Sequence, residues 1–349
     1  MRITFLVNGV EGVEDTSATA VLALWAARRG HTVHLLSLDR LTYWPDGRIG
    51  GVAVRGPGRG VRSQQSLVRT LRSARAVRER ITTDDMDILW LRYNPSEEVE
   101  AERYWGQDAG VLFGRLAVER GVLVLNDPDT LAYARDKLYF QHFPEAVRPR
   151  TLITRDLDEI RGFQQECGGR LVLKPLTGYG GADVFLLDGP DANLKAIADA
   201  VARSGFILAQ EYLPAIGDGD TRLFLVNGEP LVVDGRVAAI RRIAAPGDFR
   251  ANMTAGASAA RARIGETELE LARTVGPKLR QDGIFFAGLD IIGDRIVEIN
   301  TISTGGLTSA SRLEKRDFGA AIMERLERKL ELRRHYGAAL SNRALATMS

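Results

Sequence analysis

The chain is nearly devoid of cysteine. Cys167 stands alone, so no disulfide can form within the chain, which fits a reducing compartment. Histidine is almost as scarce, and His31, His34, His142 and His335 fall at spacings that suit neither a zinc site nor a nucleophile–base pair. Packing or surface roles are expected for all four, and a structural role for Cys167 beside Gly168-Gly169. No apolar run reaches the about 18 residues that a membrane span requires. Met1-Arg2 leads directly into ITFLV, a buried-strand pattern, so a secretory leader is not expected. The expectation is a soluble cytoplasmic protein. An excess of one charge is missing too. The 47 basic and 45 acidic residues leave a formal net charge of +2, and the basic residues are spread along the chain, which argues against a nucleic-acid partner. What remains is an ordinary globular balance, 45% hydrophobic and 26% charged, over 349 residues, enough for two or three domains.

Lysine is the last shortage, and it is informative. Of the 47 basic residues only Lys137, Lys174, Lys195, Lys278, Lys315 and Lys329 are lysine. Where arginine has replaced lysine nearly everywhere, a surviving lysine marks a place that needs a compact point charge in preference to a planar fork. Lys174 ends the apolar run LVLKP, and the glycine-rich loop Thr177-Gly178-Tyr179-Gly180-Gly181 follows it. Glycine-rich phosphate loops usually open a helix. This one lies between two strand-like runs, the second being Ala182 to Leu187, so it reads as the tip of a β-hairpin. Backbone N–H groups and a lysine on such a tip suit a flap over a polyphosphate. That points to an ATP-dependent enzyme outside the P-loop and dinucleotide-binding classes.

The organisation divides near Asn126-Asp127-Pro128, where proline and the residue before it resist helix. Residues 1–125 alternate buried-strand runs (ITFLV, TVHLLSL, MDILWLR, GVLVLN) with helical stretches at Ser17–Arg29, Ser66–Arg80 and Ala109–Arg120, the pattern of a β/α domain. The early NGVEG lacks the spacing of a dinucleotide fingerprint and reads as a turn. Residues 126–205 read as helix, strand and helix, then the flap hairpin and another helix. A strand-rich region, 206–335, opens at Phe206–Leu213 and contains a hairpin signal at Asn227-Gly228. It continues with a helix over Thr267–Gln281, which Gly276-Pro277 threatens to interrupt, and ends in an amphipathic helix over 317–335. Residues 336–349 read as a loosely ordered tail.

Three further segments share the logic of the flap. FILAQEYLPA is an apolar strand whose end, Gln210-Glu211-Tyr212-Leu213, can offer main-chain groups to an adenine edge. Asp218-Gly219-Asp220-Thr221-Arg222 is a turn entering a strand with opposite charges close together. GLDIIGDRIVEIN carries Asp290, Glu298 and Asn300, hard oxygen ligands of the kind Mg²⁺ prefers. Glu298 and Asn300 are two apart and share a strand face. Asp290 can oppose Glu298 only if the connecting loop has an odd count, for example Gly293-Asp294-Arg295, so the odd loop or an equivalent bulge is expected. A plain two-residue Gly293-Asp294 turn would aim Glu298 the other way.

KPLTGYGGADVF, QEYLPAIGDGDTR and GLDIIGDRIVEIN, in this order and spacing, resemble the bacterial glutathione synthetase family of ATP-grasp ligases, from about Asn126 to Arg328 and more weakly before that. The resemblance implies an α/β ATP-grasp fold: a Rossmann-like N-terminal domain followed by two α+β subdomains that clasp ATP. By the same likeness Lys137 and Lys174 hold ATP phosphates under the loop Gly178, Tyr179, Gly180, Gly181. Glu211, Tyr212 and Leu213 frame the adenine, and Asp220 lies near nucleotide or substrate. Asp290, Glu298 and Asn300 bind Mg²⁺, while Arg222, Arg242, Arg250 and Asn252 line the reacting centre. Arg92, in LWLRYNP, is a candidate for a substrate carboxylate. The family carries a Ser-Pro-Thr type segment where this chain has Ser303-Thr304-Gly305-Gly306, whose consecutive glycines can form a backbone nest for an acceptor carboxylate.

The implied activity is ATP-dependent amide formation through an acyl phosphate, with γ-glutamylcysteine and glycine as default substrates. It is chemistry that needs positioning and charge neutralisation more than a protein nucleophile. A relative joining other amino acids or a peptide in specialised metabolism, and a non-catalytic ATP-binding regulatory protein, are the alternatives. The family likeness also implies a homo-oligomer, a dimer or tetramer.

Overall fold

The computed structural model describes residues 1–349 except 135, 179–180, 190–192, 246–249 and 251–255. Tyr179, Gly180 and Asn252 therefore lie outside the described residues. The N-terminal sheet has parallel strands in the order Thr32–Ser37, Arg2–Val7, Ile88–Leu91, Leu123–Leu125. They are the four apolar runs of the sequence, and each is covered on both faces, as parallel strands must be. Three antiparallel strands extend this sheet: Ile49–Arg55 pairs with Thr32–Ser37, and Arg78–Thr82 and Thr42–Tyr43 each pair with Ile49–Arg55.

The strand Arg78–Thr82 corrects the helix expected over Ser66–Arg80. That helix is Gln64–Leu71, started by a capping box between Ser63 and Ser66. Helix Ala18–Arg28 begins at Ser17, whose hydroxyl accepts from Ala20 N at 3.1 Å, and it packs against the long helix Phe318–Tyr336.

The middle of the chain forms a four-stranded antiparallel sheet ordered Phe185–Asp188, Arg170–Pro175, Ile207–Glu211, Thr151–Thr154. The flap is the tip of the hairpin between Arg170–Pro175 and Phe185–Asp188, as the apolar flanks predicted. Strand Ile207–Glu211, attached by the sequence reading to the C-terminal region, lies in the middle of this lid sheet instead. The lid owns a separate apolar core, with Ile160, Leu171, Leu173, Leu187, Ala198, Val201 and Ala209 at its centre.

The third sheet runs Ser258–Arg261, Ala239–Ile243, Asp220–Val226, Phe286–Ile292, Arg295–Asn300. Asn227 and Gly228, at φ 54° and 71°, turn Asp220–Val226 back onto Glu229–Pro230, as the Asn-Gly pair requires. Helix Glu266–Gln281 runs through Gly276 and Pro277 without interruption. The tail is not loose. Helix Asn342–Thr347 buries Leu345 and Ala346, and buried Lys329 donates to Asn227 Oδ1 at 2.9 Å and to Met348 O at 2.7 Å. Two apolar clusters join the first sheet to the third, one through Phe5, Trp90, Phe224 and Phe285 and the other through Leu6, Leu89, Leu223 and Leu289, while the lid stands apart.

Candidate active site

Two adjoining cavities lie between these bodies. The first, of about 880 Å³ including its mouth, opens between the lid sheet and the third sheet. Lys174 reaches it from the end of Arg170–Pro175, and its buried ammonium donates to Gln210 Oε1 at 3.0 Å on the neighbouring strand. Lys137 enters from the turn before Tyr139–His142 and donates to Gly178 O at 3.2 Å and Leu176 O at 3.4 Å, so it meets the root of the flap. Burial lowers the pKa of both ammoniums, to about 8 for Lys174, with Glu298 pulling the other way.

Glu211, Tyr212 and Leu213 line the same cavity with Val172, Ile216, Ile292 and Val297, an apolar slot of the kind a base requires. The Glu211 carboxylate is fixed by Arg150 N at 2.7 Å, and the Tyr212 ring lies 3.8 Å from the Arg170 guanidinium carbon. Gly178 and Gly181, with positive φ, line it from above, and Gly181 O accepts from Arg250 at 3.1 Å.

The floor is a row of charge on one face of the third sheet. Asp220 is directly opposite Arg242, Arg222 is opposite Asp290, and Asp290 is opposite Glu298. Cross-strand opposition puts the members of each pair on a common face. Arg222 grips Asp290 with two bonds of 2.7 Å. Arg242 bonds Asp220 through Nε at 2.7 Å and also through Nη2, which stands 2.8 Å from Asp290 Oδ2. Burial opposes the charge of Asp290, but its two guanidiniums outweigh burial and hold its pKa well below the carboxylate range. Burial also opposes the charge of Arg242, and Asp290 and Asp220 hold it above its ordinary value. Asp220, sharing that guanidinium with Asp290, is raised by burial.

Asp290 faces Glu298 because the hairpin carries a bulge. Ile292 pairs Arg295 across the two-residue turn Gly293-Asp294, and the register shifts between Asp290 and Ile291. The bulge alternative to an odd loop is the one realised. Among the described residues no cluster of three or more His, Cys, Asp or Glu side chains is placed to hold a metal. The set is two carboxylates and an amide. Asp290 Oδ2 takes bonds from Arg222, Arg242 and Asn300, the last at 3.2 Å, whereas Oδ1 takes one from Arg222. A carboxylate has about four lone-pair sites, so Asp290 Oδ1 keeps room for a cation beside Glu298. The donors fit a hard divalent ion.

The second cavity, of about 1310 Å³ including its mouth, adjoins the first, and Gly178, Arg242 and Glu298 line both. Arg222, Asn300, Ser303, Gly305 and Gly306 line it from the third sheet and the segment after it. Two expected substrate residues are placed otherwise. Arg92 is 5% exposed and lines neither cavity. Its guanidinium donates to Thr304 O at 2.9 Å, Ile302 O at 3.3 Å and Thr19 Oγ1 at 3.3 Å. It fastens the 302–304 segment to the N-terminal domain and is turned to backbone outside the lining of both cavities. Burial lowers its pKa to about 10. Thr304 is 1% exposed and bonds Asn300 O at 2.8 Å, so it shapes the segment from behind. Gln210, expected to offer only its main chain to an adenine edge, also steadies Lys174 through its side chain, and the wall Asn94-Pro95-Ser96-Glu97 carried no signal in the sequence.

The model of the prokaryotic glutathione synthetase N-terminal domain matches residues 1–132, and that of the prokaryotic glutathione synthetase ATP-grasp domain matches residues 136–315. The chain belongs to the prokaryotic glutathione synthetase family. Within that family it is similar to the glutathione synthetase of Yersinia pestis, 40% identical over 221 residues, 63% of this chain and 65% of that protein. It is similar to that of Salmonella typhimurium, 34% identical over 292 residues, 83% of this chain and 85% of that protein. The Yersinia alignment thus spans just under two thirds of its relative. Among solved structures, D-cycloserine synthetase DcsG superposes with a TM-score of 0.60 at 14% identity, covering 93% of this chain and 100% of that one. The ATP-grasp ligase PsnB with minimal precursor, Mg and ADP superposes with a TM-score of 0.54 at 19% identity, covering 92% and 95%. These likenesses establish the ATP-grasp fold of this glutathione synthetase family member. Among its described residues no helix is long and apolar enough to cross a membrane.

Proposed function

We propose that the chain is an ADP-forming carboxylate–amine ligase that joins γ-glutamylcysteine and glycine. The observation that carries this reading is that the two cavities meet at Gly178, Arg242 and Glu298. A nucleotide in the first cavity would have its terminal phosphate beside the second. A carboxylate held there would attack that phosphate and form an acyl phosphate, and an amine would then displace phosphate and form the amide. Lys137 and Lys174 neutralise the polyphosphate, and Arg222 and Arg242 face the reacting centre from the floor. Asp290, Glu298 and Asn300 would hold Mg²⁺, whose part is to neutralise charge on the transferring phosphoryl oxygens. The lid, with a core of its own, is built to close as a body and exclude water from the acyl phosphate. Domain limits of 1–125, 126–205 and 206–335 are proposed with strand Ile207–Glu211 reassigned to the lid, and a homo-oligomer is proposed on the family likeness.

A screen of amino acids and dipeptides for ADP release, with product masses, tests the reading. ADP release stimulated by γ-glutamylcysteine with glycine, and a product of the summed mass less water, is the expected result. If only another pair works, the substrate assignment falls. If no pair works, the ligase assignment falls.

A further inference from the structure

The second cavity has a wall with no task in the reaction just described. Asn94, Pro95, Ser96 and Glu97 form it, immediately after strand Ile88–Leu91. Arg2–Val7 lies between Thr32–Ser37 and Ile88–Leu91, so the order of the parallel strands reverses at Arg2–Val7. The crevice outside the carboxyl ends of strands at such a reversal is where open α/β sheets take ligands. The wall is pinned across that point. Asn8 Nδ2 donates to Asn94 O at 2.8 Å, and Asn94 N donates to Asn8 Oδ1 at 2.7 Å. Asn94 then caps the turn that follows, accepting from Ser96 N at 3.1 Å and donating from Nδ2 to Glu97 Oε1 at 3.2 Å.

The two neighbouring carboxylates differ. Glu98 is buried and neutralised, bonded by Arg103 at 2.7 and 2.9 Å and by Asn8 at 2.7 Å. Glu97 is open to the cavity, and its one hydrogen bond comes from a neutral amide. Among the described residues no lysine or arginine lies within 4.0 Å of it. The arginines of the cavity are committed elsewhere, Arg222 to Asp290 and Arg242 to Asp220. Its surroundings raise the pKa of Glu97, partial burial first, with Glu100 and Glu98 adding to it against the Asn94 bond and the more distant Arg103 guanidinium. A cation arriving at the wall would relieve that penalty.

We propose that Glu97 is a specificity residue of this cavity and receives an ammonium group carried by the donor substrate, an inference that rests on the ligase reading. γ-Glutamylcysteine has that chemistry: the carboxylate to be activated is on its cysteine, and the free α-ammonium is at the opposite, glutamyl end. An N–H⁺ to carboxylate bond is roughly twice as strong as a neutral one. A site built to hydrogen-bond a group also rejects the analogue lacking it, because its own polar atoms are then left unpaired.

The test compares γ-glutamylcysteine with N-glutarylcysteine, the same molecule without the ammonium, by titration calorimetry with a non-hydrolysable ATP analogue and Mg²⁺ present. The protein is expected to bind γ-glutamylcysteine about tenfold or more tightly than the analogue. Glu97→Gln should bring the ratio of the two affinities close to one, and Glu97→Asp should restore part of it. A ratio near one without the substitution, binding of neither compound, or a ratio that Glu97→Gln leaves in place overturns the assignment. An equal loss of both affinities in Glu97→Gln marks a structural role and overturns it as well. ADP release is read separately. Selective binding without ADP release keeps the Glu97 assignment while the ligase reading fails.

Discussion

Asp290 and Glu298 stand directly opposite each other although the turn between their strands has only two residues, because a bulge beside Asp290 absorbs the one-residue mismatch. The bulge sets both carboxylates on the face that carries Arg222 and Arg242, and so makes a single row of charge from side chains distant in sequence. Asp290 serves that row twice, as anchor for two guanidiniums and as a candidate ligand.

The double duty separates the effects of two substitutions. Asp290→Asn leaves Arg222 and Arg242 buried against a neutral amide, and removing one partner of a buried ion pair costs about 3–5 kcal/mol. A lowered thermal midpoint is expected, together with loss of ADP release by about 100-fold or more. Glu298→Gln breaks no ion pair of the floor, so it should lose ADP release with a midpoint close to that of the unsubstituted protein. Equal thermal shifts in the two variants would contradict the network. Since the Asp290 carboxyl is held below its unfolded value, its stabilisation is full above about pH 4 and fades as the pH falls below that.

Lys174 yields a prediction on the alkaline side. Its folded pKa, about 8, lies below that of an unfolded lysine, so the burial penalty is full below that value and is relieved as the pH rises above it. Nucleotide binding runs the other way, because the polyphosphate needs the charged form. KM for ATP should climb from about pH 8 upward. Lys174→Met should bind ATP weakly and show no such climb. A flat profile without the substitution would show that the ammonium does not titrate in the cavity.

Gly319 marks the seam between the first and last parts of the chain. A Cβ there would lie 2.5 Å from Trp25 Cδ1 and 2.7 Å from Val21 Cγ1, where helices Ala18–Arg28 and Phe318–Tyr336 touch. Overpacking of this kind costs about 1–3 kcal/mol. Gly319→Ala should lower the urea midpoint while the folded protein keeps its specific activity, since Gly319 lines neither cavity. An unchanged midpoint would mean the seam gives way freely.

Much of this was legible in the residues. The flap was readable because apolar runs on both sides of a glycine cluster leave few alternatives to a hairpin. The need for an odd loop or a bulge was readable because parity on a strand is strict: two carboxylates among alternating isoleucines must share a face or be buried without a partner; that the bulge is the one used was not. Strand Arg78–Thr82 was not readable, since RERIT has helix-forming charges and its conformation comes from pairing with Ile49–Arg55. Glu97 was hidden for a similar reason. It sits in the acidic run EEVEAE, which looks like a solvated helix face until the strand reversal brings it to a cavity.

The sequence by itself determined most of the elements, the ATP-grasp motifs and the chemistry of each side chain, because helix and strand periodicity and turn residues are local properties. Only the tertiary structure decided partnership: that Arg92 binds backbone, that Arg222 belongs to Asp290 and Arg242 to Asp220, and that strand Ile207–Glu211 belongs to the lid. Which charge meets which depends on strand register between segments up to 68 residues apart, and register is set by burying one face of every strand at once.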